Sequence, residues 1–171
     1  MSNDHLDDKD LEKRLWSEVD KARFGMLGLT GGRLQPMTAF CDKERGAVWF
    51  FTRRTTDLAR LTGEGHEAQF CIMARDQEFQ ASIMGPLAPD HDRAKIRAFW
   101  NPIVSAWFPD GRDDPELTLL KLSPLNAQVW IMRGGPLHFA FEILHANLTH
   151  TEPRLGEEGH TEHHSGPVAF I

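Results

Sequence analysis

The 171-residue chain has no apolar run approaching the ~20 residues that a membrane-spanning helix needs. It also has no Lys/Arg-rich stretch: 19 basic residues stand against 25 acidic ones, a formal charge of −6. That is the wrong balance for a protein that tracks a nucleic-acid backbone, which needs a cationic surplus on one face. The opening MSNDHLDDKD is acidic where a secretory leader would be basic and then apolar, so the expected compartment is the cytoplasm. Cysteine is scarce too. Cys41 and Cys71 lack CxxC or Cys/His spacing, and two free thiols are expected in preference to a disulfide. No phosphate-cradling glycine loop of the Walker or dinucleotide type is present, and no Ser-His-Asp or Cys-His set can be assembled from local motifs. Any enzymatic chemistry therefore belongs to a cofactor, with the chain supplying placement and electrostatics.

What is there suits one soluble domain: 40% hydrophobic and 26% charged residues, with length enough for a core of its own. Over 8–23, Leu11, Leu15, Val19 and Ala22 fall on one helical face behind Asp7, Asp8 and Asp10. β-like runs follow at 24–30, 34–40, 47–52, 67–75, 79–89, 117–124 and 127–133. Gly31-Gly32 joins the first pair as a hairpin, and Gly85-Pro86 marks a bend or bulge. Short helices are expected over 53–61, capped by Thr55 or Thr56, and over 91–100, capped by Asp90 and stopped by Pro102. The stretch 102–116 reads as a loop, and 137–149 has helical spacing. These elements predict a mainly β, α+β fold, a small closed or split antiparallel barrel over 1–150, with 151–171 a polar tail or arm.

Three places invite chemistry. Pro36 interrupts the run LQPMTAF, and a proline gives no N–H to a ladder, so this strand belongs at an edge or a bulge. Thr55 and Thr56 open a helix beside Arg53 and Arg54, an arrangement that suits a phosphate but equally suits a plain cap with solvated arginines. Asp110, Asp113, Asp114 and Glu116 do not have calcium-loop spacing, and His160, His163 and His164 sit among glutamates, so neither group is expected to hold a metal.

The succession QPM (35–37), WFFT (49–52), TTDL (55–58), FWNP (99–102), AWFPDGRDDPEL (106–117) and AQVW (127–130) resembles the general stress protein 26 branch of the pyridoxamine 5′-phosphate oxidase-related, FMN-binding split β-barrels. The resemblance spans about residues 9 to 148. It implies a six-stranded split barrel, a homodimer, and one FMN in each of two grooves at the subunit interface. By matching position, Gln35, Pro36, Met37 and Thr38 would pass the flavin, Phe51 and Thr52 would end the neighbouring strand, and the phosphate would rest at Thr55 and Thr56 with Arg53 and Arg54 beside it. Trp107, from the opposite subunit, and Trp130 are candidates to flank the isoalloxazine or else core and dimer contacts. Gln80, with Ser82 on the same strand face, would meet the ring edge or simply satisfy a polar neighbour.

Two positions depart from the family pattern. Gln35 stands where an arginine is common, and the phosphate-binding lysine falls at Leu58. Either Arg33, Arg53 or Arg54 supplies the missing charge or FMN binds less tightly, because a dianion leaving water needs compensation. The implied activity is flavin-dependent oxidoreduction. The alternative is a non-catalytic binder of flavin or another planar ligand. Pyridoxamine 5′-phosphate oxidase itself is not favoured, since GPVAFI offers no arginine-containing motif for substrate phosphate.

Overall fold

The computed structural model describes residues 8–63, 65–132, 156–162 and 169–170. Helix α1 (Asp8–Ala22) turns Leu11, Leu15 and Val19 inward, as the spacing predicts, and Arg23 ends it in the left-handed region at φ 58°. Strand β1 (Phe24–Leu29) and β2 (Gln35–Thr38) form the first hairpin, where Gly31 takes φ 79° and Gly32 N–H donates to the Leu29 carbonyl at 2.8 Å. The expected strand over 34–40 ends at Ala39: its N–H donates to the carbonyl of Arg23 opposite at 2.7 Å, but the Arg23 N–H is spent on the Val19 carbonyl at 3.1 Å, so the ladder goes no further. A second short strand, β3 (Phe40–Asp42), then pairs with β4 (Ala47–Arg53) instead.

The remaining described strands are β5 (His66–Met73), β6 (Phe79–Pro89), β7 (Leu117–Leu122), β8 (Asn126–Met132), β9 (Gly156–Glu162) and β10 (Ala169–Phe170). All pairings are antiparallel, in the order β10-β9-β8-β6-β5-β1-β2, with β3, β4 and β7 branching from β6. The split barrel arises at β6. Its first half pairs with β8 as far as Met84, and from Leu87 it pairs with β7. Gly85-Pro86 is thus a change of partner within a continuous strand, since β5 stays paired to both residues.

Val48, Phe50, Phe70, Phe79, Ile83, Leu120 and Val129 fill the barrel with α1 packed against them. Outside β4, a second cluster holds Trp49, Ile96 and Leu119, with Phe40 and Phe51 meeting edge to face at 5.2 Å. Between β4 and β5 lies α2 (Asp57–Leu61), and after β6 come α3 (Arg93–Phe99) and α4 (Pro102–Ser105).

The helix starts correct two expectations. Asp92, not Asp90, caps α3, accepting from Ala94 N–H at 2.8 Å. Asp90 instead accepts the buried Trp49 indole N–H at 2.7 Å, a contact between distant residues that sequence spacing does not reveal. Pro102 does not merely stop a helix; it opens α4 behind the Asn101 cap, where its missing N–H costs nothing. The stretch 102–116, read as a loop, holds α4 and a 3-10 turn at Gly111–Asp113. The helical spacing over 137–149 lies outside the described residues. Within the stretch read as a tail, β9 lies along β8 with Glu158 opposite Trp130.

An ion pair fixes α3 to the β3–β4 turn. Lys95 donates to the Asp42 carboxylate and lies 4.7 Å from the Trp49 ring centre. The Lys95 hydrogen bond, opposed by partial burial and aided by the Arg45 and Glu44 backbone N–H groups, holds the Asp42 carboxyl below its ordinary value of 3.8. A carboxyl depressed by folding adds stability above its unfolded value and loses it as pH falls through the folded one. Asp42→Asn should therefore destabilise by about 1–2 kcal/mol at neutral pH. In urea unfolding at a series of pH values, its deficit against wild type should shrink progressively below about pH 4, toward the acid limit.

Candidate functional site

The sheet formed by β2, β1, β5, β6 and β8 buries one face in the barrel and leaves the other uncovered among the described residues. Register fixes its membership: Pro36, Met26, Cys71, Ser82 and Gln128 form one row across it, and Met73, Gln80 and Trp130 form the next. Phe24 lies two residues from Met26 on the same side, opposite Thr38. Phe24 and Met73 are 60% and 61% exposed, and Trp130 and Met26 are also open. Large apolar side chains at neighbouring sheet positions form a patch that a monomer would ordinarily cover. Polar groups interleave with them. Gln69 donates from Nε2 to the Ser82 hydroxyl at 2.7 Å, and Gln80 Nε2 donates to the Gln77 carbonyl at 2.5 Å.

Pro36 is explained by its strand. Among the described residues β2 pairs only with β1, so its other edge needs no donor from Pro36. The alternation divides the strand: Pro36 and Thr38 lie on the open side, whereas Gln35 and Met37 lie on the other, with the Gln35 amide 3.9 Å from the Met37 sulfur.

The turn after β4 separates the other expected residues. The Thr52 and Thr56 hydroxyls are 3.1 Å apart, and Thr56 caps α2 by accepting Ala59 N–H at 3.2 Å while donating to the Arg53 carbonyl at 2.8 Å. Thr55 is exposed beside them and takes no part in the cap. Leu58 faces the barrel core at 7% exposure, so α2 offers no cation at that position. Arg53 donates to the Trp107 carbonyl at 2.7 Å and lies 5.8 Å from the Phe108 ring centre, clamping the loop after α4. That leaves the Trp107 indole 65% exposed. Arg54 turns elsewhere, into a cleft of about 500 Å³ shared with Arg93 and Arg112. Phe51 belongs to the aromatic layer under α3, 6.2 Å from Trp100.

Within one chain these side chains therefore form three groups: the open sheet face with Pro36, Thr38, Gln80 and Trp130; the Thr52/Thr56 corner with Arg53, from which Arg54 turns away; and the projecting Trp107. Phe24, Met26 and Met73 complete the open face and were missed as site residues. The signal for Phe24 and Met26 was the strand FGMLGL, apolar on both alternations where a strand covered on one side only would alternate with polar residues. A nucleophilic role does not suit Cys41. Burial first, then the Asp20 and Asp42 charges, push its thiol up to about 12, so it stays protonated. In the acidic loop Asp113 pairs with Arg93 at 2.7 Å and Asp114 accepts Glu116 N–H at 2.9 Å. Among the described residues no helix is long and apolar enough to cross a membrane.

Comparison with known proteins places the chain in context. The family model described as "Pyridoxamine 5′-phosphate oxidase like" matches residues 10–154. A Jannaschia protein assigned provisionally to general stress protein 26 has 36% identity over 91% of this chain and 99% of its own, with a TM-score of 0.76. The general stress FMN/FAD binding protein of Xanthomonas citri is also 36% identical, over 72% of this chain and 89% of its own, with a TM-score of 0.67. A pyridoxamine 5′-phosphate oxidase-related, FMN binding protein of Nostoc punctiforme shares the fold at 13% identity, covering 100% of this chain and 98% of its own with a TM-score of 0.61. No curated protein matches the chain.

Proposed function

This chain belongs to the pyridoxamine 5′-phosphate oxidase-like family, and from that premise we propose that it is a cytoplasmic, homodimeric FMN-binding protein with the flavin at the subunit interface. The observation that carries the reading is the uncovered sheet face. Phe24, Met26, Met73 and Trp130 offer apolar surface for a flat ring and a second copy, while Gln80 and Thr38 beside them offer polar edges. The residues present fit a flavin in chemistry. The three groups that stay apart in one chain would be brought together by a partner, with Trp107 projecting toward the other copy.

The flavin, when bound, supplies hydride or electron transfer. The chain's part is placement. Gln35, Pro36, Met37 and Thr38 line the β2 edge, and Phe51 and Thr52 bring β4 to the same corner. Thr55 and Thr56 stand at the phosphate end with Arg53 and Arg54 as its cations. Because Leu58 and Gln35 bring no charge, the anion depends on these two arginines. Arg53→Ala with Arg54→Ala should then weaken FMN binding well over tenfold, since each charge-assisted bond contributes about 1.5–3 kcal/mol. Fluorescence quenching in an FMN titration measures it. Unchanged affinity would remove both arginines from the site.

A second reading, a binder without turnover, is favoured by the buried Leu58 in place of a cation. Protein that takes up FMN and bleaches with a reduced nicotinamide donor supports the oxidoreductase. Protein that remains colourless after dialysis against excess FMN supports the second reading.

A further inference from the structure

We propose that the cleft beneath α3 is a second small-molecule site, separate from the flavin, for a compact apolar body carrying one phosphate or carboxylate. The cleft encloses about 500 Å³, within the range of ligand pockets, and lies between the start of β7, the 3-10 loop and the α2 and α3 ends. Its floor is apolar and closed: Ile96 and Leu119 are 6% and 2% exposed, with Pro115 beside them.

The formal charges of its wall balance, three arginines against three aspartates, but the hydrogen bonding does not. Each carboxylate already has donors. Asp90 accepts from the Trp49 indole at 2.7 Å and from Asp92 N–H at 2.9 Å. Asp113 takes Arg93 at 2.7 Å, and Asp114 takes Glu116 N–H at 2.9 Å. The donors facing them are not spent. Arg54 aside, which is assigned to the flavin phosphate, among the described residues the His91 ring and the Thr118 hydroxyl have no partner, and Arg112 has only the Trp100 ring face at 5.8 Å. A cleft whose carboxylates each have a donor already, and whose wall keeps unspent donors, suits a ligand that brings acceptors, and the planar Arg112 guanidinium matches the two oxygens of an oxyanion.

The test is calorimetric titration of FMN-loaded and FMN-free protein with phenyl phosphate, benzoate and the neutral benzyl alcohol. The expected result is binding of at least one anion in both forms and none of the alcohol, with at least tenfold weaker binding in Arg112→Gln and clearly weaker binding in His91→Ala. Both side chains are exposed, so both variants should fold. Arg112→Gln should leave FMN affinity unchanged. The proposal is overturned if neither anion binds, if the alcohol binds as well, or if both variants bind as wild type does. It is also overturned if FMN displaces the anion, which would make the cleft the flavin's own phosphate end.

Discussion

Gly85→Ala is expected to lower stability by about 3 kcal/mol or more, a fall of roughly 6–12 °C in Tm. Gly85 sits where β6 exchanges β8 for β7, and the connection between those two strands crosses directly over it. A Cβ here would stand 2.2 Å from the Ser123 carbonyl oxygen, 3.0 Å from Leu125 N and 3.1 Å from Pro124 Cα. All three are backbone atoms, so no rotamer change relieves the clash. The crossing is also hydrogen-bonded to β6: Ser123 N–H donates to the Pro86 carbonyl at 3.0 Å, and Leu125 N–H donates to the Met84 carbonyl at 2.8 Å. Moving the connection aside would break both bonds and open the place where the barrel divides. Gly63→Ala is the control, because a Cβ there meets nothing within 4 Å. Its Tm should stay within a degree or two of wild type. Thermal unfolding of the two variants side by side gives the result, and equal Tm values would contradict this account of the split.

Phe24→Glu combined with Met73→Glu should convert the proposed dimer to a monomer at micromolar concentration, weakening self-association at least a hundredfold and lowering flavin affinity with it. Both residues are more than half exposed in the single chain, so the substitutions should leave the fold and its Tm nearly untouched. In the proposed dimer the same positions carry unpaired carboxylates into an apolar seam, at several kcal/mol each. Sedimentation velocity separates the two outcomes. A double variant that associates as wild type does would place the seam elsewhere on the surface.

Much of this architecture is legible in the sequence because alternation and turn chemistry are local. The run FQASIMGPLAP, the hairpin at Gly31-Gly32 and the face of α1 each carry their own signal. The break at Ala39 is not of that kind, since it depends on Arg23, 16 residues earlier, spending its N–H on the Val19 carbonyl at the end of α1. The cap of α3 failed for a related reason. Asp90 and Asp92 are equally good caps by type, and what separates them is the Trp49 indole, 41 residues away in the chain. Nor does local pattern say that Arg53 and Arg54, adjacent in the chain, diverge, one to the Trp107 carbonyl and the other to a cleft with Arg93 and Arg112. The open sheet face was partly visible, since FGMLGL is apolar on both alternations, but its extent depends on register across five strands.

Native mass spectrometry of the protein mixed with FMN tests the central claim most directly, because it reads chain count and ligand count in the same ion. Two 19.4 kDa chains carrying two FMN molecules is the predicted species, with single chains devoid of flavin. A single chain that holds FMN by itself, or a dimer that takes up none, would contradict it.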